Sequence, residues 1–318
     1  MNKMLYRGPG PAMPPRPSTS VNIGGIIMKN PVMPASGCFG FGEEYAPYVD
    51  LNSLGAIVVK SVTMDETIGN PPPRVCETPA GMINAIGWQN PGADVFINEK
   101  MPFLRRFNTP VIVNLAGKTV KQYAELAAKL STVEGLAGIE LNISCPNVNE
   151  GGVAFGTDPR LATEVIRAVR AATGLPLIVK LSPNVTDITV MARAAEEAGA
   201  DALSLVNTFT AIAIDIKTRK PIIGNFTGGL SGPAIKPIAL YMTYRVAQTV
   251  KIPIIGMGGI LRAEDAIEFL LAGATAVAVG MGTFVNPTAM PEIIAGIEKY
   301  ITDNNFNDIH EIIGGLIK

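Results

Sequence analysis

Eight short apolar runs recur along the chain, four of them opened by proline. They fall at residues 31–36 (PVMPAS), 56–63 (AIVVKSVT), 110–116 (PVIVNLA) and 138–144 (GIELNIS), then at 176–182 (PLIVKLS), 202–208 (ALSLVNT), 253–259 (PIIGMGG) and 276–280 (AVAVG). They are apolar on both faces, the pattern of a parallel sheet covered on each side. Amphipathic stretches separate them, at 120–130, 159–172, 187–198, 235–250 and 263–272. Asp158-Pro159 and Ser182-Pro183 read as start signals nearby, and Gly174, Gly199 and Gly273 as stop signals. Eight strand–helix units in 318 residues predict an α/β chain folded as a (β/α)8 TIM barrel. Residues 21–29 predict a hairpin turning at Gly24-Gly25, set against the barrel floor. Two connections, 64–101 and 209–233, are too long for plain loops, and segments 213–217 and 221–225 of the second predict another hairpin. On the C-terminal face of a barrel such loops cap a site.

Composition narrows the field. The formal net charge is −1 and the sequence pI about 6.0, with no basic stripe for nucleic acid or an anionic membrane. No apolar stretch has membrane-spanning length. The three cysteines, Cys38, Cys76 and Cys145, lack CxxC spacing, which argues against a disulfide framework, a zinc site or a cluster held by this chain alone. A cytoplasmic setting fits. Residues 1–18 are proline-rich without an apolar core, so they read as a loose arm and not a signal peptide, ahead of a single barrel domain over 19–318.

The chemistry gathers where the runs end. Ser36 closes the first, and Lys60 and Ser61 lie at the end of the second. Asn114, Asn142 with Cys145, Lys180, and Asn207 with Thr208 follow on the third to sixth. A lysine inside a Val-Val-Lys or Ile-Val-Lys run is costly to bury without a partner. Gly258-Gly259 and Gly280 end the last two runs, where barrels commonly hold phosphate on backbone N–H groups. Residues 228–233, ahead of a helix start, offer a third such backbone. Two cations beside an anchored phosphate suit a cofactor that becomes anionic, as reduced flavin does. Several amides suit a planar, imide-like substrate. A thiol, with its ordinary pKa near ~8.5, serves as a base near neutral pH. A Schiff-base role for Lys180 is the competing enzymatic reading. His310 reads as a surface group, Cys38 and Cys76 as inert thiols, and the methionines as core filler.

At this point the chain resembles the class 1 dihydroorotate dehydrogenases, specifically the class 1B catalytic subunit. The matching stretches are 33–42 (MPASGCFGFG), 69–74 (GNPPPR), 77–92 (ETPAGMINAIGWQNPG), 141–148 (LNISCPNV), 152–156 (GVAFG), 179–185 (VKLSPNV), 228–237 (GGLSGPAIKP) and 254–260 (IIGMGGI). Together they span roughly residues 19–310 in order. The resemblance implies one flavin mononucleotide (FMN) per chain and oxidation of dihydroorotate to orotate in pyrimidine biosynthesis. Cys145 would be the base at ring carbon C5, and Lys60 would sit between flavin and substrate. Asn84, Ala85, Ile86, Gly87 and Trp88 would line the substrate pocket. Asn142, Asn147, Asn207 and Thr208 would bond the pyrimidine or its carboxylate. Ser36, Lys60, Ser61, Asn114, Asn142, Lys180 and Val206 would contact the flavin. Gly232, Gly258, Gly259, Gly280 and Met281 would hold its ribityl or phosphate. The resemblance further implies a central dimer flanked by a partner subunit carrying FAD and a [2Fe-2S] cluster, a heterotetramer that passes electrons to NAD. The alternatives are a class 1A-like homodimer using fumarate and a non-catalytic scaffold subunit. Two positions depart from the family. Met281 stands where a hydroxyl is usual, leaving the main chain or Thr283 to meet a phosphate. Trp88 replaces a smaller apolar residue.

Overall fold

A computed structural model describes residues 17–143 and 155–317. Sixteen strands, numbered along the chain, form four sheets among the described residues. The eight apolar runs become the parallel barrel strands β3 (Val32–Pro34), β4 (Ile57–Val58), β7 (Val111–Leu115), β8 (Leu136–Asn142), β9 (Leu177–Lys180), β10 (Ala202–Leu205), β15 (Ile254–Met257) and β16 (Ala276–Val279). They lie side by side in chain order, and β16 returns to pair with β3. Between β3 and β4 the seam is bridged by Gly55 N–H donating to Val32 O at 2.9 Å and Ser36 Oγ donating to Val59 O at 2.8 Å. Several ladders stop two or three residues before the runs do. Lys60, Ser61, Asn207 and Thr208 therefore stand just past the strands, at the barrel mouth.

Helices Val120–Ser131, Pro159–Ala172, Ile188–Glu197, Lys236–Ala247, Ala263–Leu271 and Ala289–Asp303 surround the barrel. Thr119, Asp158 and Asp187 cap three of them by accepting from backbone N–H groups two or three residues on. Two expected signals differ. Ser182-Pro183 does not open a helix: Ser182 Oγ accepts from Asn184 N–H in a loop turn, and Asp187 is the cap. Gly199 and Gly273 take positive φ after their helices, but Gly174 does not, because the helix before it ends on extended Thr173.

The hairpin of β1 (Val21–Ile23) and β2 (Ile26–Met28) closes the floor. It buries Ile23, Ile26 and Met28, and Ile26 abuts Gly138 near the start of β8, where a Cβ would come within 2.6 Å of its methyl. The two long connections form more than loops. β11 (Phe209–Ala211), β14 (Gly228–Ser231), β6 (Gly81–Asn84) and β5 (Val75–Thr78) make one antiparallel sheet, in register Phe209↔Leu230, Leu230↔Ile83 and Ile83↔Cys76. A second hairpin is present as β12 (Ile214–Asp215) and β13 (Lys220–Pro221), its second strand ending at Pro221 and not running over 221–225 as expected. This roof has its own small core of Cys76, Ile83, Ala85 and Ile223. Gly229 makes the roof possible, since a Cβ there would lie 1.9 Å from Thr208 Oγ1. No helix among the described residues is long and apolar enough to cross a membrane.

Because that collision is confined to the roof, Gly229→Ala is expected to keep the barrel's far-UV circular dichroism while costing about 1–3 kcal/mol of overpacking. Limited proteolysis should then cut faster within 64–101 and 209–233. Unchanged proteolysis would show that the close approach of Gly229 and Thr208 does not hold the roof down.

Candidate active site

Under the roof, at the C-terminal ends of the barrel strands, lies a cavity of about 350 Å³. Both loops and almost every barrel strand contribute to its wall. Of the residues expected there, Ser36, Lys60, Ser61, Asn84, Ile86, Gly87, Trp88, Asn142, Lys180, Val206, Asn207, Thr208, Gly232, Gly258, Gly259, Gly280 and Met281 line it. Cys145 and Asn147 lie outside the described residues. Two others stand off the wall. Ala85 is 1% exposed, with its methyl in the small roof core. Asn114 is fully buried behind the wall, where its amide joins Ser61 to Glu140. Strand alternation turns Ala85 into the roof core, whereas Asn114 shares the inward barrel face with Glu140 and is covered by its bonds to Ser61 and Glu140.

Electrostatically the cavity is dominated by its two lysines. Lys180, at the end of β9, is 5% exposed. Its Nζ stands 3.9 Å from Oε2 of Glu140, itself 2% exposed. The Glu140 carboxylate is held from both sides: Asn114 Nδ2 donates to Oε2 at 2.6 Å and Ser204 Oγ to Oε1 at 2.8 Å. Ser61 Oγ donates to Asn114 Oδ1 at 2.5 Å, extending the chain of bonds to the loop after β4. Lys60 is half-buried, and that burial, reinforced by the nearby Arg74 guanidinium, holds its pKa below the usual lysine range. Arg74 is anchored by donating to Gln89 Oε1 at 2.7 Å and Ile68 O at 3.1 Å.

The amides form the opposite set. Tyr123 Oη donates to Asn142 O at 2.8 Å and pins the end of β8. Asn207 Nδ2 donates to Asn142 Oδ1 at 3.5 Å, and Asn207 Oδ1 accepts from Thr208 N–H at 2.8 Å. On the roof side, Gly87 and Trp88 both have positive φ, 75° and 56°. For tryptophan that backbone is strained. Asn90 steadies the turn by donating to Trp88 O at 2.7 Å, and Trp88 Nε1 is buried without a hydrogen-bond partner.

At the far end, Gly258 (φ 129°) and Gly259 (φ 74°) let the turn after β15 run against the start of helix Lys236–Ala247. A Cβ on Gly259 would lie 2.7 Å from Lys236 Cβ and 2.8 Å from Gly232 O. Thr283 does not offer its hydroxyl there. It is 1% exposed, donates to Gly280 O at 2.9 Å or Cys38 O at 3.2 Å, and accepts from Tyr45 Oη. Met281 and Gly280 line this end of the cavity instead.

Sequence reasoning missed Glu140 and Cys38. Glu140 had a signal, a carboxylate inside an apolar run, which demands a buried partner. Cys38, expected only as an inert thiol, lines the cavity. Burial pushes its pKa up to about 11 against the opposing pull of Lys180 and Lys60.

Comparison with known proteins agrees with this architecture. The family model for dihydroorotate dehydrogenase matches residues 18–301. A protein of Geotalea uraniireducens named dihydroorotate dehydrogenase B (NAD(+)), catalytic subunit, is 58% identical over 302 residues, covering 95% of this chain and 99% of the relative. Proteins of the same name from a Geobacter species and from Desulforudis audaxviator are each 56% identical, covering 95% and 93% of this chain and 99% and 96% of the relatives. A barrel with a two-lysine, amide-rimmed cavity, matched along nearly its whole length, places this chain in the dihydroorotate dehydrogenase family.

Proposed function

We propose that this chain oxidises dihydroorotate to orotate with a bound FMN and passes the electrons to NAD through a partner subunit. The observation that carries the reading is the convergence of Lys60, Lys180 and the amides Asn84, Asn142 and Asn207 on one cavity under a roof built from both long loops.

The residues fit a flavin nucleotide. Gly232, Gly258 and Gly259, where a side chain would collide with neighbours, and Gly280 bring main chain to one end of the cavity, where backbone N–H groups would hold a phosphate. Lys60 and Lys180 would hold the ring, where an ammonium stabilises negative charge. When bound, the flavin supplies a two-electron hydride acceptor. The chain's own residues do the rest. Lys180 holds positive charge beside the cofactor position. Asn84, Asn142, Asn207 and Thr208 present donors and acceptors that fix a planar pyrimidine. The Ile86-Gly87-Trp88 turn closes over it and excludes water. Cys145 accepts the proton leaving ring carbon C5 as the hydride leaves C6. Cys38, which lines this cavity, stays protonated near neutral pH with its pKa pushed up to about 11, so it does not compete as base.

Electron exit requires a partner. The relatives are named catalytic subunits of an NAD(+) enzyme. The chain has three scattered cysteines and no four-cysteine set for a cluster. We assign FAD and a [2Fe-2S] cluster to the partner, around a central dimer of this chain, in the cytoplasm.

Cys145→Ala is expected to retain its flavin absorbance and lose dihydroorotate oxidation by about 10²–10⁴-fold, the usual worth of a general base. Turnover near wild type in that variant would remove Cys145 from the chemistry. The isolated, flavin-loaded chain should reduce artificial dyes while hardly reducing NAD, with NAD reduction appearing on co-expression with the partner. Efficient NAD reduction by the chain alone contradicts the electron route, and strong fumarate-dependent turnover without a partner makes it a fumarate-using homodimer.

A further inference from the structure

The Glu140 carboxylate takes no part in the chemistry just described, yet it sits directly behind the lysine that does. It lies in the barrel interior, 2% exposed, on the strand next to β9. Both oxygens are occupied by neutral donors from flanking strands, Asn114 on β7 and Ser204 on β10. That fixes the carboxylate in one orientation, with Oε2 turned to Lys180 Nζ at 3.9 Å. Burying a carboxylate this deeply costs several kcal/mol unless it is paired and hydrogen-bonded. Ser204 is 0% exposed and Asn114 likewise, so neither clamp is a surface accident. Cys38 and Lys60 share the cavity wall with Lys180, but neither carries a fixed negative charge near neutral pH.

We propose that Glu140 is a positioning residue, whose clamped carboxylate holds the Lys180 ammonium in place and aimed at the flavin position. The role rests on the flavin reading above. Glu140 touches neither cofactor nor substrate. It acts through Lys180, and through Asn114 it ties that lysine's position to Ser61 and the loop carrying Lys60.

Sulfite binding to the oxidised, flavin-loaded chain tests this without turnover. Sulfite donates an electron pair to the ring, one S–N bond forms, and the negative charge left on the ring is stabilised by a nearby cation. Bleaching of the flavin absorbance reports the dissociation constant. Glu140→Gln keeps the side chain's shape and removes its charge, and Lys180→Met removes the cation. Glu140→Gln is expected to weaken sulfite binding about tenfold when Lys180 is present and to leave it within about twofold in the Lys180→Met background, a coupling of the size contacting residues show. Glu140→Asp should recover part of the loss. If Glu140→Gln fails to fold, Ser204→Ala removes one clamp at a residue that does not line the cavity and should weaken sulfite about threefold, again only with Lys180 present. An unchanged dissociation constant, or an equal loss with and without Lys180, overturns the role of Glu140 alone. A wild-type chain that takes up no flavin overturns the flavin reading first and this role with it.

Discussion

An ammonium inside a parallel barrel is among the most expensive groups a fold can carry, and the arrangement around Lys180 shows how this one tolerates it. Removing one partner of a buried ion pair typically costs about 3–5 kcal/mol, because the other charge is left stranded. Here the partner is Glu140, and Glu140 in turn is held by Asn114 and Ser204. The network crosses from β7 to β10 through the barrel interior, and Ser61 extends it to the end of β4. It survives only if those strands keep their register, so the same bonds that place the cation also constrain the barrel.

The remaining geometry follows from what must sit above that layer. The floor is sealed by apolar residues of the β1–β2 hairpin, leaving the C-terminal mouth for polar groups. The roof is tied to the mouth by glycines that permit contact no side chain would allow, Gly229 against Thr208 and Gly259 against Gly232. One end of the cavity thereby presents main-chain donors, the middle two cations of different character, and the roof side amides and an indole. Lys180 has a clamped counter-charge. Lys60 faces Arg74 and is held below the usual lysine range by burial. The two lysines are therefore not equivalent, although both end apolar runs.

Much of this was legible in the sequence. All eight barrel strands, five helices and both hairpins followed from apolar periodicity, because burial on one or both faces leaves a local pattern. Lysines at the ends of apolar runs pointed to the cavity for the same reason that Glu140 should have: a charge in such a run needs a partner. What stayed hidden depends on pairing between distant segments. The roof joins Ile83 to Leu230, and no local pattern declares that register. The resemblance put Ala85 and Asn114 at the site, but Ala85 turns into the roof core and Asn114 is buried in the barrel interior between Ser61 and Glu140. Ser182-Pro183 resembled a helix start until Asp187 proved the better cap.

The account stands on the claim that one end of the cavity binds a phosphate through main-chain groups while the other receives a flavin ring beside Lys180. Titrating the flavin-free chain with FMN and, separately, with riboflavin by calorimetry tests it most directly. One FMN should bind per chain, with riboflavin far weaker because it leaves the glycine turns unused. Absence of FMN binding, or equal affinity for the two, would contradict the account.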